Sequence, residues 1–552
     1  MGGRHGGAAW GTIPSVRASR RNRNLWLLQT SWACFVTTDL ALLVLLSVVG
    51  YSLGGVEAVG LVAAARVLPG ALLAPVIAPV ADRVRRQALL AFLHGAWAVG
   101  SLGLAAAAGA GSLAALVLVA AIGSLGASLF RGGFRALLAQ VVVSPTELVC
   151  ANAAYAAIEG VGTAVGPAGA GALLVLLQPQ VALAVLAVVF VAGAVSTGLV
   201  RTAFQAPRRS RGVRRADVLR GWSALTGPDL RVTFGLLMSQ CLMRGLLTVF
   251  VVALCLRQGG GGETRVAALF SALGVGGLLG ALVASRLPGQ RTTARRMALG
   301  VALWGLPVAL LGLAPGSVGP WLAMAAVGVG NAMEDVYGLS VVDRLLPDHL
   351  AARAWTTFWS VAAAMVTGGS LLGPRLVVWL GLRSSMVLTG AVLLTLALVA
   401  MLPLRRVDAV VGEQPDHLDL VRGVAELAPL PSMSLERLAR ALRPRDVEDG
   451  EFVMEEGAAA DAFALVADGT LEVRQGGAVL RRLHRGDGFG EIGLLMGRPR
   501  TASVIAVGRA SVLWLDAEAF VSAVTGHRVA SAAGLRVAAS HLAADRDRRS
   551  GS

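Results

Sequence analysis

Gly486-Asp487-Gly488-Phe489-Gly490-Glu491-Ile492-Gly493-Leu494-Leu495, followed by Arg498-Pro499-Arg500-Thr501-Ala502-Ser503-Val504, joins a glycine-rich turn to a β-type run. An acid in an apolar setting, Glu491, and an arginine, Arg500, lie between the two. Glycine lets a backbone come close to a ligand because it has no Cβ. A short helix opening near Glu491 would turn free amides toward an anion. The planar fork of Arg500 can grip a phosphate, and Glu491 can accept a hydrogen bond from a ribose hydroxyl. These residues read as a cradle for a small, singly charged sugar phosphate. The alternative is a β-structure whose glycines serve turns and whose arginine makes a surface ion pair.

Phe489-Gly490-Glu491 with Pro499-Arg500-Thr501-Ala502-Ser503-Val504 resembles the phosphate-binding cassette of the cyclic nucleotide-binding domain family. Gly450, Gly457, Asp461, Phe463 and Gly469 sit where that family's β-roll has its turn glycines and core aromatic, so the likeness covers roughly residues 427–542. It implies a C-terminal β-roll with flanking helices. It also implies that Glu491 holds the ribose 2′-hydroxyl and Arg500 the cyclic phosphate, with Gly490, Ile492, Thr501 and Ala502 beside them. The ligand would be regulatory, cyclic AMP or cyclic GMP, and no other cofactor is implied. Thr501 resembles the hydroxyl that some members use for cyclic GMP, but cyclic AMP binders carry it too, and the reading leans to cyclic AMP.

Composition places most of the chain in a lipid bilayer. With 552 residues, 55% of them hydrophobic, and a mean hydropathy of +0.68, it is too long for one domain and too apolar for a soluble protein. The net charge of +16 is unevenly shared: residues 1–406 hold 32 arginines and 12 acids, residues 407–552 hold 17 and 21. The basic excess belongs to the membrane part, which argues against a nucleic-acid partner. All 49 basic residues are arginine, so there is no Gly-Lys-Ser/Thr phosphate loop and no sign of an ATP drive. Neither a Gly-x-Ser-x-Gly elbow nor a His-Glu-x-x-His pair occurs, and no enzyme activity is expected. Cys34, Cys150, Cys241 and Cys255 fall in or beside apolar segments and supply no disulfide framework or zinc-ligand spacing.

Residues 1–24 are rich in glycine and arginine and read as a disordered tail. From residue 25 to 404, runs of about 20 apolar residues recur, the length that spans a bilayer. Twelve are expected, at 25–50, 57–81, 87–109, 112–130, 150–176, 180–200, 232–256, 266–285, 297–314, 317–341, 355–381 and 385–404. With the N-terminus inside, 26 arginines fall in the cytoplasmic tail and loops, against three, Arg257, Arg265 and Arg383, in the opposite loops. The positive-inside rule therefore predicts a multi-pass protein of the plasma (inner) membrane with both ends cytoplasmic.

The two halves of this region echo each other. Ala81-Asp82-Arg83 follows the second span and Gly166-Pro167 lies in the fifth; Ala284-Ser285-Arg286 follows the eighth and Gly373-Pro374 lies in the eleventh. Six helices, a long basic loop and six more make a duplicated, all-α bundle. Asp82-Arg83-Val84-Arg85-Arg86 resembles the loop signature of the major facilitator superfamily, in which an acid and basics, here Asp82, Arg83 and Arg86, latch cytoplasmic helix ends. Gly162-Thr163-Ala164-Val165-Gly166-Pro167-Ala168-Gly169 resembles the helix 5 signature associated with drug and proton antiporters. The first signature opens on Ala78 where the family has glycine, and its second copy has Ser285 in place of the acid, which weakens the expected second latch.

Charges at bilayer depth cost about 2.5–3.5 kcal/mol each on insertion scales and mark pathways or structural pairs. Asp39 and Arg66 reach similar depths, roughly 14–17 Å from their helix ends at 1.5 Å per residue, and can pair across helices 1 and 2. Glu159 precedes the glycine signature without an obvious base and reads as a proton site or as a hydrogen-bonded acid. Arg244 reads as an anion contact, His94 as a packing histidine, and Glu334 and Asp335 as acids near the cytoplasmic end, within reach of water or loop arginines.

Residues 405–426 read as a linker, followed by a helix at 434–442 that Ser434 could cap. Strands are expected at 451–455, 463–467, 470–474, 479–483, 502–507 and 511–515, then a helix from Asp516 to about His541 and a tail at 543–552. The chain thus reads as a secondary active transporter, an exporter coupled to protons, for a small molecule that the sequence does not specify. A cyclic nucleotide would regulate it through Asp82–Arg86 and the 201–231 loop. The alternative is a nucleotide receptor on a transporter fold with little or no flux.

Overall fold

The computed structural model describes residues 22–525 apart from 82–83, 143–144, 202–220, 229, 257–261, 287–291, 314–317, 347, 413–416, 425–426, 428–429 and 431. It divides into two compact units between Val410 and Val411.

The first unit is helical: α1 Arg23–Ala65, α2 Leu68–Ala81, α3 Arg86–Gly109, α4 Leu113–Val141, α5 Pro145–Leu176, α6 Pro179–Gly198, α7 Arg231–Leu256, α8 Gly262–Arg286, α9 Thr293–Leu313, α10 Gly319–Leu345, α11 Asp348–Leu380 and α12 Leu382–Gly412. Helix α1 holds two arms, because Gly54 and Gly55 leave helical geometry; Gly55 sits at φ +62°, ψ −152°, which a side chain would resist. Its second arm continues into α2 past a turn at Arg66 and Val67 as one crossing. Among the described residues, ten stretches meet the length and apolarity of a spanning helix, the first of them covering both arms. Helix α10, less apolar for Asn331, Glu334 and Asp335, brings the crossings among the described residues to twelve.

Duplication is visible in the packing. Helix α1 lies against α5 and α2 against α4; in the second half α7 lies against α11 and α8 against α10. The repeated Gly-Pro positions make equivalent crossings. A Cβ on Gly166 would stand 2.6 Å from the carbonyl oxygen of Thr37 on α1, and one on Gly373 would stand 3.0 Å from Val249 Cβ on α7. In lipid, where helices gain no hydrophobic drive toward one another, close backbone approach at small residues is what holds them.

Several helices outrun the apolar stretches that announced them. Helix α4 runs to Val141 where 130 was expected, carrying Arg131 and Arg135 inside the helix, and α12 runs through Gly412 into the expected linker. The apolar run measures the bilayer, whereas the helix continues until its backbone bonds end.

In the second unit, α13 Leu418–Gly423 and α14 Ser432–Ala441 precede β1 Arg443–Val447, β2 Phe452–Met454, β3 Ala462–Gln475, β4 Ala478–Leu483, β5 Gly488–Phe489, α15 Glu491–Met496, β6 Ser503–Asp516 and α16 Ala517–Thr525. The strands form one antiparallel sheet in the order β1-β6-β3-β4, with β2 on β6 and β5 on β3. Four expected strands are two: 463–467 and 470–474 join as β3, and 502–507 and 511–515 join as β6. Gly469 (φ +88°) and Gly508 (φ +77°) bend these strands without ending them. Ser434 lies inside α14 instead of capping it. One face of the sheet buries Phe463, Leu465, Leu513 and Leu515 against the helices, with Phe463 stacked on Phe520 of α16 at 4.3 Å. Val466, Leu471, Phe489 and Val512 fill the inside of the roll.

Candidate nucleotide site and membrane charges

The turn from β5 into α15 places the cradle. Gly490 stands at φ +90° as the residue before α15, and Glu491 and Ile492 begin the helix, both buried. Arg500, in the loop before β6, is 6% exposed. It donates through Nη1 to the Gly490 carbonyl at 3.0 Å, and through Nη2 to the Ala462 carbonyl at 2.7 Å and to Asp461 Oδ1 at 3.0 Å. Arg500 thus bonds the residue directly before Glu491, and the side chain of Asp461, 78% exposed, is the arginine's ion-pair partner. A Cβ on Gly490 would lie 2.7 Å from Arg500 Nη1, so the guanidinium would have to shift to admit one. Thr501 and Ala502 are half-buried, and the Thr501 carbonyl accepts from Gln475 Nε2 at 2.6 Å. Farther along β3, Glu472 receives both Arg474 (2.8 Å) and Arg482 (2.9 Å). Those hydrogen bonds, the one from Arg474 foremost, hold its carboxyl below the usual glutamate range.

In the membrane unit Asp39, Arg66, Glu159, Arg244 and Asp335 have polar partners, and the Glu334 carboxylate has none among the described residues. Arg66 Nη2 lies 2.8 Å from Asp39 Oδ1. This pair lines a small cavity inside the first half, walled by Phe35, Trp97 and Phe190. Glu159, expected to lack an obvious base, has one beside it: Arg131 Nη1 lies 2.9 Å away, with its guanidinium over the rings of Trp32 and Phe35 at 5.3 Å. Arg131 was missed because it ends the apolar run of α4; the signal was the apolar spacing of Phe134, Leu137 and Leu138 beyond it. Arg244 on α7 and Asp335 on α10 are bridged by Asn331, which accepts from Arg244 at 2.5 Å and from Gln240 at 2.8 Å and donates to Asp335 at 3.1 Å. Glu334, expected within reach of water or loop arginines, is instead fully buried in the middle of α10. His94 is buried, with Nε2 3.0 Å from Ser31 Oγ. Gly166 and Pro167 lie inside α5, and Arg86 opens α3; Asp82 and Arg83 lie outside the described residues. A further residue that sequence reading missed is Asp408 of α12, which receives Arg295 Nε at 2.7 Å and the backbone N–H of Ala294 at 2.7 Å at the start of α9.

Comparison with known proteins agrees with both halves of this description. The family model of the Major Facilitator Superfamily matches residues 30–365, well over half of the chain, and that of the cyclic nucleotide-binding domain matches residues 444–527. The cAMP-dependent protein kinase regulatory subunit of Yarrowia lipolytica is 40% identical over 102 residues, 18% of this chain and 27% of that protein. The regulatory subunit of the same name from Dictyostelium discoideum is 36% identical over 91 residues, 15% of this chain and 28% of that one. The chain thus spans about a quarter of the length of these curated relatives. A solved structure of the regulatory domain of Toxoplasma gondii PKA with cAMP is 24% identical, with a TM-score of 0.19, over 22% of this chain and 50% of that one. Neither matching family is an enzyme family. The chain belongs to the Major Facilitator Superfamily and carries a cyclic nucleotide-binding domain at its C-terminal end.

Proposed function

We propose that this chain is a secondary active transporter whose cyclic nucleotide-binding domain regulates it. The duplicated bundle would work by alternating access, with its halves rocking about a central site. The observation that carries the regulatory part is that buried Arg500 bonds the carbonyl of Gly490, the residue directly before buried Glu491. A cyclic phosphate would take up the guanidinium beside or in place of the surface carboxylate of Asp461, and Glu491 would hold the ribose. Cyclic AMP is the favoured ligand, because the names of the curated relatives at 36–40% identity specify it.

For the membrane unit, the reading is a small-molecule exporter coupled to protons, resting on the glycine signature of α5 and on the carboxylates at bilayer depth. The arginine distribution favours a plasma (inner) membrane protein with both ends in the cytoplasm. A ligand shifts a conformational equilibrium only by its differential affinity for the two states. The test is therefore hydrogen exchange on the full chain in lipid nanodiscs, with and without cyclic AMP. Regulation predicts altered exchange in membrane helices of the parent and none in Arg500→Ala. Changes confined to residues 411–552 would sink it, and nucleotide binding without any flux across a broad panel of compounds would leave a receptor.

A further inference from the structure

Four acids lie at bilayer depth in the described residues of the bundle, and three have partners. Asp39 has Arg66, Glu159 has Arg131, and Asp335 has Asn331. Glu334 is 0% exposed, and neither of its carboxylate oxygens has a hydrogen-bond partner among the described residues. On α10 itself the neighbouring charge is Asp335; α7 brings Arg244 and Cys241 within electrostatic reach. Helix α9 brings Arg296, over the Tyr337 ring at 5.7 Å, and approaches the Glu334 backbone through Gly300. Helix α8 meets α10 at Gly276 and Gly280, which bring backbone and no charge.

A carboxylate stripped of water and of every donor is far costlier than a neutral carboxylic acid in the same place. The cation within electrostatic reach, Arg244, donates to the Asn331 carbonyl oxygen instead. We propose that Glu334 carries a proton in this conformation and is the proton-carrying side chain of the membrane unit, with Arg244 as the cation that receives its carboxylate. When the proton leaves for water, Arg244 gives up the Asn331 carbonyl oxygen and takes the Glu334 carboxylate. Asn331 keeps its bond from Gln240. Charge is conserved in the step: one proton goes to solvent and one ion pair forms. Because the shift of Arg244 pulls on both α7 and α10, the proton's departure is tied to the packing of the second half. The inference rests on the proton-coupled reading of the membrane unit, and it moves the proton site from Glu159, which already has Arg131, to Glu334.

The experiment is infrared spectroscopy of the full chain in lipid nanodiscs at neutral pH, before and after deuterium exchange. The parent should show the carbonyl stretch of a protonated carboxylic acid. That band should be lost in Glu334→Gln, a near-isosteric change, and kept in Glu159→Gln and Asp335→Asn. Absence of the band from folded parent protein, or its survival in Glu334→Gln, overturns the proposal. Coupling is read separately, in proteoliposomes, as dissipation of an imposed pH gradient when ethidium is added. No ethidium-dependent dissipation by the parent would count against the coupled reading and leave the spectroscopic assignment standing. Dissipation that is as fast in Glu334→Gln as in the parent would overturn the proposal whatever the spectrum shows.

Discussion

Replacing Gly490 with alanine separates the backbone demands of the nucleotide turn from its space for Arg500. Gly490 adopts φ +90°, in the left-handed region where a Cβ costs roughly 1–2 kcal/mol. That Cβ would also stand 2.7 Å from Arg500 Nη1 and 3.0 Å from Met454 Cε. The far end of an arginine is what yields, so the guanidinium would leave the Gly490 carbonyl and its aim at the turn. A hydrogen bond to a charged group contributes about 1.5–3 kcal/mol. Losing one to a phosphate therefore weakens binding roughly 10- to 100-fold. Gly497 is the control: it lies at the other end of α15 at φ +62°, and a Cβ there would meet nothing within 4 Å. Gly497→Ala should lose roughly 1–2 kcal/mol of stability in urea titrations, and Gly490→Ala at least as much. Only Gly490→Ala should also lose cyclic AMP affinity by calorimetry. Equal affinity losses in the two variants, or full affinity in Gly490→Ala, would refute the reasoning.

Asp39→Asn removes the partner of Arg66, whose side chain is 15% exposed against 37% for Asp39. Between the limits for surface and buried pairs, the cost should be roughly 1–3 kcal/mol, and Asp39→Asn with Arg66→Gln should recover most of it. Thermal melts of the detergent-solubilised chain check this, and a single variant as stable as the parent would show that the pair locks nothing. Glu472 has its carboxyl held low in the folded state, so its contribution is present above the unfolded value and is lost as pH falls through the folded one. The parent should therefore lose stability below about pH 4.3 more steeply than Glu472→Gln. Parallel acid profiles would place the effect of Glu472 elsewhere.

The sequence carried the crossings and the nucleotide turn well because both rest on local signals. Apolar length alone marks a spanning helix, and Gly490, Glu491 and Arg500 lie within eleven consecutive residues of one another. It carried helix ends poorly, since Arg131 and Asp408 lie where apolarity stops but helical bonding does not. It also could not show that Gly469 and Gly508 bend strands instead of ending them, because that depends on the register between β3 and β6. Strand β1 escaped notice for a related reason: Arg443, Pro444, Arg445 and Asp446 are all exposed, and only pairing with β6 makes them a strand. Among the membrane charges, the Asp39–Arg66 pair followed from equal depth along two adjacent helices. Asparagine bridging between Arg244 and Asp335, and the isolation of Glu334, depend on how α7 and α10 rotate toward each other, and neighbouring residues in sequence do not encode that rotation.

The most direct test of the account is a calorimetric titration of cyclic AMP and cyclic GMP into the full chain in lipid nanodiscs, with Arg500→Ala and Glu491→Ala alongside. Saturable binding to the parent is expected, tighter for cyclic AMP, with a loss of roughly tenfold or more in each variant as charge-assisted bonds to phosphate or ribose disappear. No binding of either nucleotide to folded parent, or unchanged affinity in Arg500→Ala, would contradict it and leave Glu491 and Arg500 as structural residues of the β-roll.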